Sequence, residues 1–304
     1  MIALVFLVVG LTGQAQPGEQ RVLIVEATVP LRAAPSMTAP VLDYLSLGVD
    51  RHVRDAGDGW LAFEFGRTLY FRADAARRVD DATIGQERES LIRLHVERRD
   101  QSHAAWNEVL QLIENESRNA AGLVARGRLA LYELKALMGA GRSYRNIEFT
   151  PFERALRGDS TIFFLDTLAG DVWTVKNEHF RKVHARVIGS PAADDILWLA
   201  VENGSGECDG GIICPVEAID TVVGEYLRHY PNGRHAPEAL EYIVKRLDFR
   251  GRNPLTDDPY ITKSAICGPL AAPLASLMKA VSGTSHASRD AALAPLRRLE
   301  AACR

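Results

Sequence analysis

Two hydrophobic periods divide the chain. Between Arg21 and Val79 short apolar runs alternate with turn residues about every 8 to 12 positions, the pattern of a compact all-β unit. Val22-Leu23-Ile24-Val25 reads as a first strand, and Pro30-Leu31-Arg32 follows it. Ala34 to Pro40 reads as a loop, because Pro35 and Pro40 lack the amide proton that regular structure needs. Val41, Leu42 and Leu45 lead to a turn at Gly48. The stretch from Gly57 to Phe71 reads as a hairpin: Trp60, Ala62 and Glu64 share one face, Leu61, Phe63 and Phe65 the other, and Gly66 starts the reversal.

A polar, charged stretch runs from Arg72 to Gln86, and 80–86 is taken as a linker. From Glu87 the period lengthens to about 3.6. Leu91, Leu94, His95, Ala105, Trp106, Val109, Leu110 and Ile113 form the stripe of one long helix, or of two broken near Asp100. Leu123 to Met138 predicts a second helix, antiparallel to the first and terminated by Gly139-Ala140-Gly141. Ile162-Phe163-Phe164-Leu165 and Val172-Trp173-Thr174-Val175 fit either a hairpin or a buried helix broken at Gly170. Phe180, Val183, His184 and Val187 predict a short helix with Asn177 as N-cap.

Ser190-Pro191 reads as an N-cap followed by proline at the first helical position, with Ile196, Leu197, Ala200 and Val201 buried and Asn203-Gly204 as the stop. Pro215 opens the next helix, whose Ile219, Val222, Val223, Tyr226, Leu227 and Tyr230 keep an unbroken helical stripe until Pro231-Asn232-Gly233. Pro237 opens a third, with Ala236, Ala239, Leu240, Ile243, Val244 and Leu247 inward. Leu270 to Val281 and Ser288 to Ala302 predict a final helical hairpin.

Two stretches resemble known modules. Val29-Pro30-Leu31-Arg32-Ala33-Ala34-Pro35-Ser36, then Pro40-Val41-Leu42, Leu47-Gly48, Asp58-Gly59-Trp60-Leu61 and Gly66-Arg67-Thr68, together resemble the bacterial SH3-like (SH3b) domain over 21–79, about a fifth of the chain. The resemblance departs at Leu69-Tyr70-Phe71, where the family usually has Gly-Trp-Val. It implies a small β-barrel that binds a cell-wall peptide or a protein segment. Tyr226, Tyr230-Pro231-Asn232-Gly233, Ala236 and Glu238-Ala239-Leu240 resemble the helix-turn-helix of tetratricopeptide-like repeats in bacterial envelope proteins, over roughly 190–250. Helix starts near 191, 215 and 237 do not keep that family's repeat of about 34 residues, so the expectation is an irregular helical array. The expected fold is therefore multidomain α+β: an SH3-like barrel at 21–79, then a mainly helical region at 87–304 built of irregular helical hairpins, the last spanning 268–303.

Composition narrows the functional classes. The 304 residues are 47% hydrophobic, enough for two domains with sizeable cores. A net charge of -3 speaks against a nucleic-acid partner, which calls for a basic excess. Ile2 to Gly10 is a continuous apolar run followed by small residues at Gly13 and Ala15, the pattern of a secretory signal peptide over 1–15, although no Lys or Arg follows Met1. A buried N-terminal strand is the alternative. The run is too short for an ordinary membrane helix, and none is expected in the mature chain. The four cysteines, an even number, agree with a periplasmic or secreted protein with disulfides. Cys208 and Cys214 bracket a glycine-containing loop and predict a local bridge of about 2 to 2.5 kcal/mol; Cys267 and Cys303, at adjoining ends of the last hairpin, predict a second of about 3.5 to 4 kcal/mol.

Candidate chemistry is sparse. Trp60, Tyr70 and Arg32 are the candidate ligand-binding residues, with Phe71 beside them, as aromatic side chains line peptide grooves. The competing reading places Trp60 and Phe71 in the core. Glu207-Cys208-Asp209-Gly210 resembles the nucleophile motif of NlpC/P60 cell-wall peptidases, but a thiolate nucleophile needs an oriented histidine base, and His229 and His235 lack that family's surroundings. Zinc needs a second Cys or His pair at ligand spacing, and His179 and His184 are off the i, i+4 face. No metal, cofactor or catalytic residue is expected. The expectation is a non-enzymatic binding or scaffold protein of the cell envelope, with a cell-wall peptidase using Cys208, or a purely structural protein, as alternatives.

Overall fold

The computed structural model describes residues 19–98, 100–143, 162–166, 172–204, 212–248, 255 and 263–304. Residues 1–18, which include the signal-peptide expectation, lie outside this set, as does Cys208. The layout is α+β: a seven-stranded antiparallel sheet comes first, and helices follow. The chain divides into two compact units, 1–98 and 99–304.

The first unit holds β1 (Gln20–Ile24), β2 (Val29–Arg32), β3 (Val41–Leu45), β4 (Asp50–Asp55), β5 (Trp60–Glu64), β6 (Thr68–Arg72) and β7 (Ala76–Arg78), then helix α1 (Ile84–Glu97). The strand order is β3-β2-β6-β5-β4-β1-β7. Strands β1 to β6 all send side chains into one core that includes Ile24, Leu31, Leu45, Val53, Phe63 and Phe71. The closed small barrel is not formed, because β3 and β7 remain two edges of an open sheet. Both edges are blunted, which limits pairing with other chains. A register shift interrupts the β2–β3 ladder, and the Tyr44 amide is taken up by the neighbouring Asp43 carboxylate at 2.8 Å; β7 has three residues.

β4 and β7 lie where sequence patterning shows no strand. β4 is Asp-Arg-His-Val-Arg-Asp, with Val53 alone buried, and it exists because β1 and β5 pair with its backbone from both sides. Helix α1 begins at Ile84, inside the stretch read as a linker, and is tied to the sheet by Arg88, which donates to Asp50 Oδ1 at 2.6 Å and to the Gly48 carbonyl at 3.1 Å. Buried His95 joins the same helix to the Val25 carbonyl at 3.1 Å.

In the second unit α2 (His103–Asn119) and α3 (Gly122–Ser143) pack as an antiparallel pair. Helix α3 runs through the glycines expected to end it. The reason is close approach: a Cβ on Gly139 would sit 2.3 Å from the Trp106 ring, and one on Gly141 would sit 2.2 Å from the Trp173 carbonyl. β8 (Phe163–Asp166) and β9 (Val172–Val175) form a two-stranded antiparallel sheet, which decides between the hairpin and helix readings. Helix α4 (Asn177–Val187) follows, and Asn177 is its first residue, not a side-chain cap. Helix α5 (Ala193–Asn203) starts two residues later than Ser190-Pro191 predicts, and Ser190 makes no side-chain cap; Gly204 stops it at φ 94°.

The next stripe is carried by α6 (Ile213–Ile219), a π-helical stretch (Asp220–Gly224) and α7 (Glu225–His229). The wider π turn disturbs the carbonyl ladder, and two arginines satisfy it: Arg181 donates to the Thr221 carbonyl at 3.1 Å and Arg228 to that of Asp220 at 3.0 Å. Helix α8 (Ala236–Arg246), α9 (Lys263–Ser282) and α10 (Arg289–Cys303) complete the unit. One core gathers Leu197, Val223, Leu240, Leu270, Leu277 and Leu296 from α5 to α10. Helix α9 is long and apolar enough to cross a membrane, but its leucines belong to this core. The Cys267–Cys303 disulfide joins α9 to the end of α10, with Cα atoms 5.4 Å apart.

Candidate functional site

A cleft of about 270 Å³ opens on the sheet unit between the β4–β5 hairpin and the strands β1 and β7. Its lining includes Val22, Asp55, Asp58, Trp60, Ala76 and Arg78. The hairpin turn that forms one wall follows directly from Gly57-Asp58-Gly59, all three at positive φ (80°, 52° and 75°). Trp60 donates its amide to the Gly57 carbonyl at 2.9 Å, and Asp-Gly at the centre matches the twist of the flanking strands. Arg72 braces this turn from the opposite strand, donating to the Asp58 carbonyl at 3.2 Å while its guanidinium lies 5.5 Å over the Trp60 ring.

The three candidate ligand residues do not form one site. Trp60 is 5% exposed and serves as a wall of the cleft, with its ring covered by Arg72. Tyr70 and Arg32 stand opposite each other on β6 and β2, away from the cleft lining. Arg32 is engaged: it donates to the Ala39 carbonyl at 2.7 Å and so holds the proline-bounded loop. Phe71 is fully buried in the core. The groups missed by sequence reading are Arg78 and Asp55, which lie in stretches without strand periodicity, and Asp58, which read only as part of the 57–71 hairpin. The Asp58-Gly59 dipeptide, a strong hairpin signal, could have pointed to this wall.

A second polar assembly lies in the helical unit, around the Tyr-Pro-Asn-Gly turn. Tyr226 donates to Asp194 Oδ1 at 2.7 Å and accepts from the His235 amide at 3.0 Å; the Arg234 amide donates to Asp194 Oδ2 at 3.1 Å. Burial and the hydrogen bond to Asp194 push the Tyr226 phenol well above its ordinary range, so it stays a donor. His235 Nε2 lies 2.9 Å from Asp195 Oδ1, and its ring stacks on Trp198 with centroids 5.0 Å apart. His184 is 4% exposed, with Nε2 2.7 Å from Tyr230 Oη and its ring 5.0 Å from that of His229. Burial, then the neighbouring His229, lowers its pKa to about 4. These contacts clamp α5, α7 and the start of α8, and they leave His229 and His235 engaged with aromatic or acidic neighbours. Among the described residues no cysteine is free, and no three or more His, Cys, Asp or Glu residues are placed to hold a metal ion.

No protein-family model, no curated protein and no solved structure matches the chain.

Proposed function

We infer that the chain is an exported, non-enzymatic binding and scaffold protein of the bacterial cell envelope, its sheet unit an SH3-like module for a cell-wall peptide or protein segment and its helical unit a docking platform for a partner. The observation that carries this reading is the cleft at Trp60. A rigid indole wall, a glycine-shaped backbone turn and charged groups of both signs converge there on a unit that has its own core. The likeness of the 21–79 stretch to SH3b domains supplies the ligand class, and the helical hairpins supply extended surface of the kind that envelope scaffolds use.

The test is retention of the full mature chain on purified peptidoglycan and on an envelope extract. Retention on one of them is the expected result, and no retention on either removes the cell-envelope ligand from this reading. Burial of Trp60 beneath Arg72 favours a second reading, in which the sheet unit is purely structural and exposes no groove. The same measurement separates the two. The peptidase alternative depends on Cys208, and a zymogram comparing wild type with Cys208→Ala decides it.

A further inference from the structure

The Trp60 cleft holds charges that the fold leaves unneutralised. Arg78 ends β7 and lines the cleft, and among the described residues its guanidinium has no ion pair or side-chain hydrogen bond. Asp55 and Asp58 line the same cleft. Asp55 accepts one bond, from the Gly57 amide at 2.8 Å, while the Asp58 carboxylate has no partner among the described residues. Elsewhere in this unit opposite charges do meet: Arg21 and Arg88 on Asp50, Arg54 on Glu64, and Arg77, the neighbour of Arg78, on Glu87. A cation and carboxylates that share a cleft without touching, beside an aromatic wall, complement a ligand that carries both signs.

We propose that the cleft binds a zwitterion of one or two residues, a free amino acid or a very short peptide, with its carboxylate on Arg78, its ammonium on Asp58 beside Asp55, and its remaining atoms along the Ala76 side of the cleft. A guanidinium offers a carboxylate two parallel N–H donors, which fixes orientation as well as charge. The volume of about 270 Å³ falls just below the usual range of roughly 300 to 1,000 Å³ for pockets that take drug-sized ligands, so the site accommodates a small molecule or a chain end but not a folded segment. This inference rests on the reading of the sheet unit as a ligand-binding module, and adds that recognition is through charged ends.

The experiment is a nuclear magnetic resonance titration of the full chain that follows the Trp60 indole N–H signal. The probe is an equimolar pool of dipeptides in three forms: both ends free, amino end acetylated, and carboxyl end amidated. The free pool is expected to shift the signal, and either cap to weaken binding about 10-fold or more, as for a lost charge-assisted hydrogen bond. Asp58→Asn preserves the turn, because Asn tolerates the left-handed backbone. It is expected to reduce the free pool to the affinity of the acetylated one, and Arg78→Gln to that of the amidated one. Equal binding of free and capped pools overturns the proposal, and so does an unmoved Trp60 signal with every pool. Retention on peptidoglycan combined with indifference to the caps removes the zwitterion and keeps the binding module. Cap-sensitive dipeptide binding without retention on peptidoglycan or extract keeps the zwitterion and removes the envelope destination.

Discussion

Acidification tests the packing of His184 directly. In the folded chain this ring is 4% exposed, faces His229 at 5.0 Å, and meets Tyr230 Oη at 2.7 Å. Burial and the second imidazole depress its pKa from 6.5 to about 4. A lowered histidine pKa means that the unfolded chain binds the proton more readily than the folded one. The contribution to stability is therefore complete above about pH 6.5, is lost as pH falls through the window between about 6.5 and 4, and changes no further below it. Linkage gives a loss of about 2 kcal/mol by about pH 5, levelling off at about 3 kcal/mol by about pH 4. The assay is urea unfolding of the full chain, followed by helical circular dichroism, at a series of pH values for wild type and His184→Gln. Gln keeps a polar group for Tyr230 and does not titrate, so the difference between the two pH profiles isolates the ring. Profiles that run parallel from about pH 7 to 4.5 refute the reasoning.

Cys267→Ser with Cys303→Ser opens a loop with a sequence separation of 36, and the chain-entropy model gives a loss of about 3.8 kcal/mol; urea unfolding under non-reducing conditions measures it, and an unchanged midpoint and slope count against the bridge. Gly233→Ala places a methyl 2.5 Å from Tyr226 Oη and 2.8 Å from Asp194 Oδ2, so about 1 to 3 kcal/mol of overpacking is expected in thermal unfolding. Tyr226→Phe is expected to cost about 1 to 3 kcal/mol by leaving Asp194 without its phenol donor, and Asp194→Asn together with Tyr226→Phe to cost less than the sum of the two single changes. Gly59→Ala forces a side chain into φ 75° and within 3.2 Å of Arg72, with an expected loss of about 1 to 2 kcal/mol in the unfolding of the sheet unit.

The elements built on a strong local period were legible from the sequence. Apolar stripes marked Val109 to Ile113, Ile196 to Val201, Val222 to Leu227 and Leu240 to Leu247 as buried helix faces, because each face meets water or core at fixed angular steps along one segment. Adjoining ends of the last helical hairpin were enough to pair Cys267 with Cys303. The reversal at Gly66 was legible for the same local reason, its backbone being left-handed at φ 68°, whereas the Gly57-Asp58-Gly59 turn was not read as one.

Tertiary structure decided what depends on segments far apart in the chain. β4 carries no alternation, and only pairing with β1 and β5 makes it a strand. Gly139 and Gly141 read as a helix stop, yet they lie inside α3, because Trp106 and the Trp173 backbone occupy the space a side chain would take. The clamp from Tyr226 to Asp194 spans 32 positions, and the cleft brings Asp58 and Trp60 beside Arg78 from across the sheet. Local preference follows from a residue and its near neighbours, whereas a contact made through chain reversal depends on which surfaces the fold brings together. For this protein the helix faces were written in the sequence, and the cleft that carries its proposed function was made by the sheet.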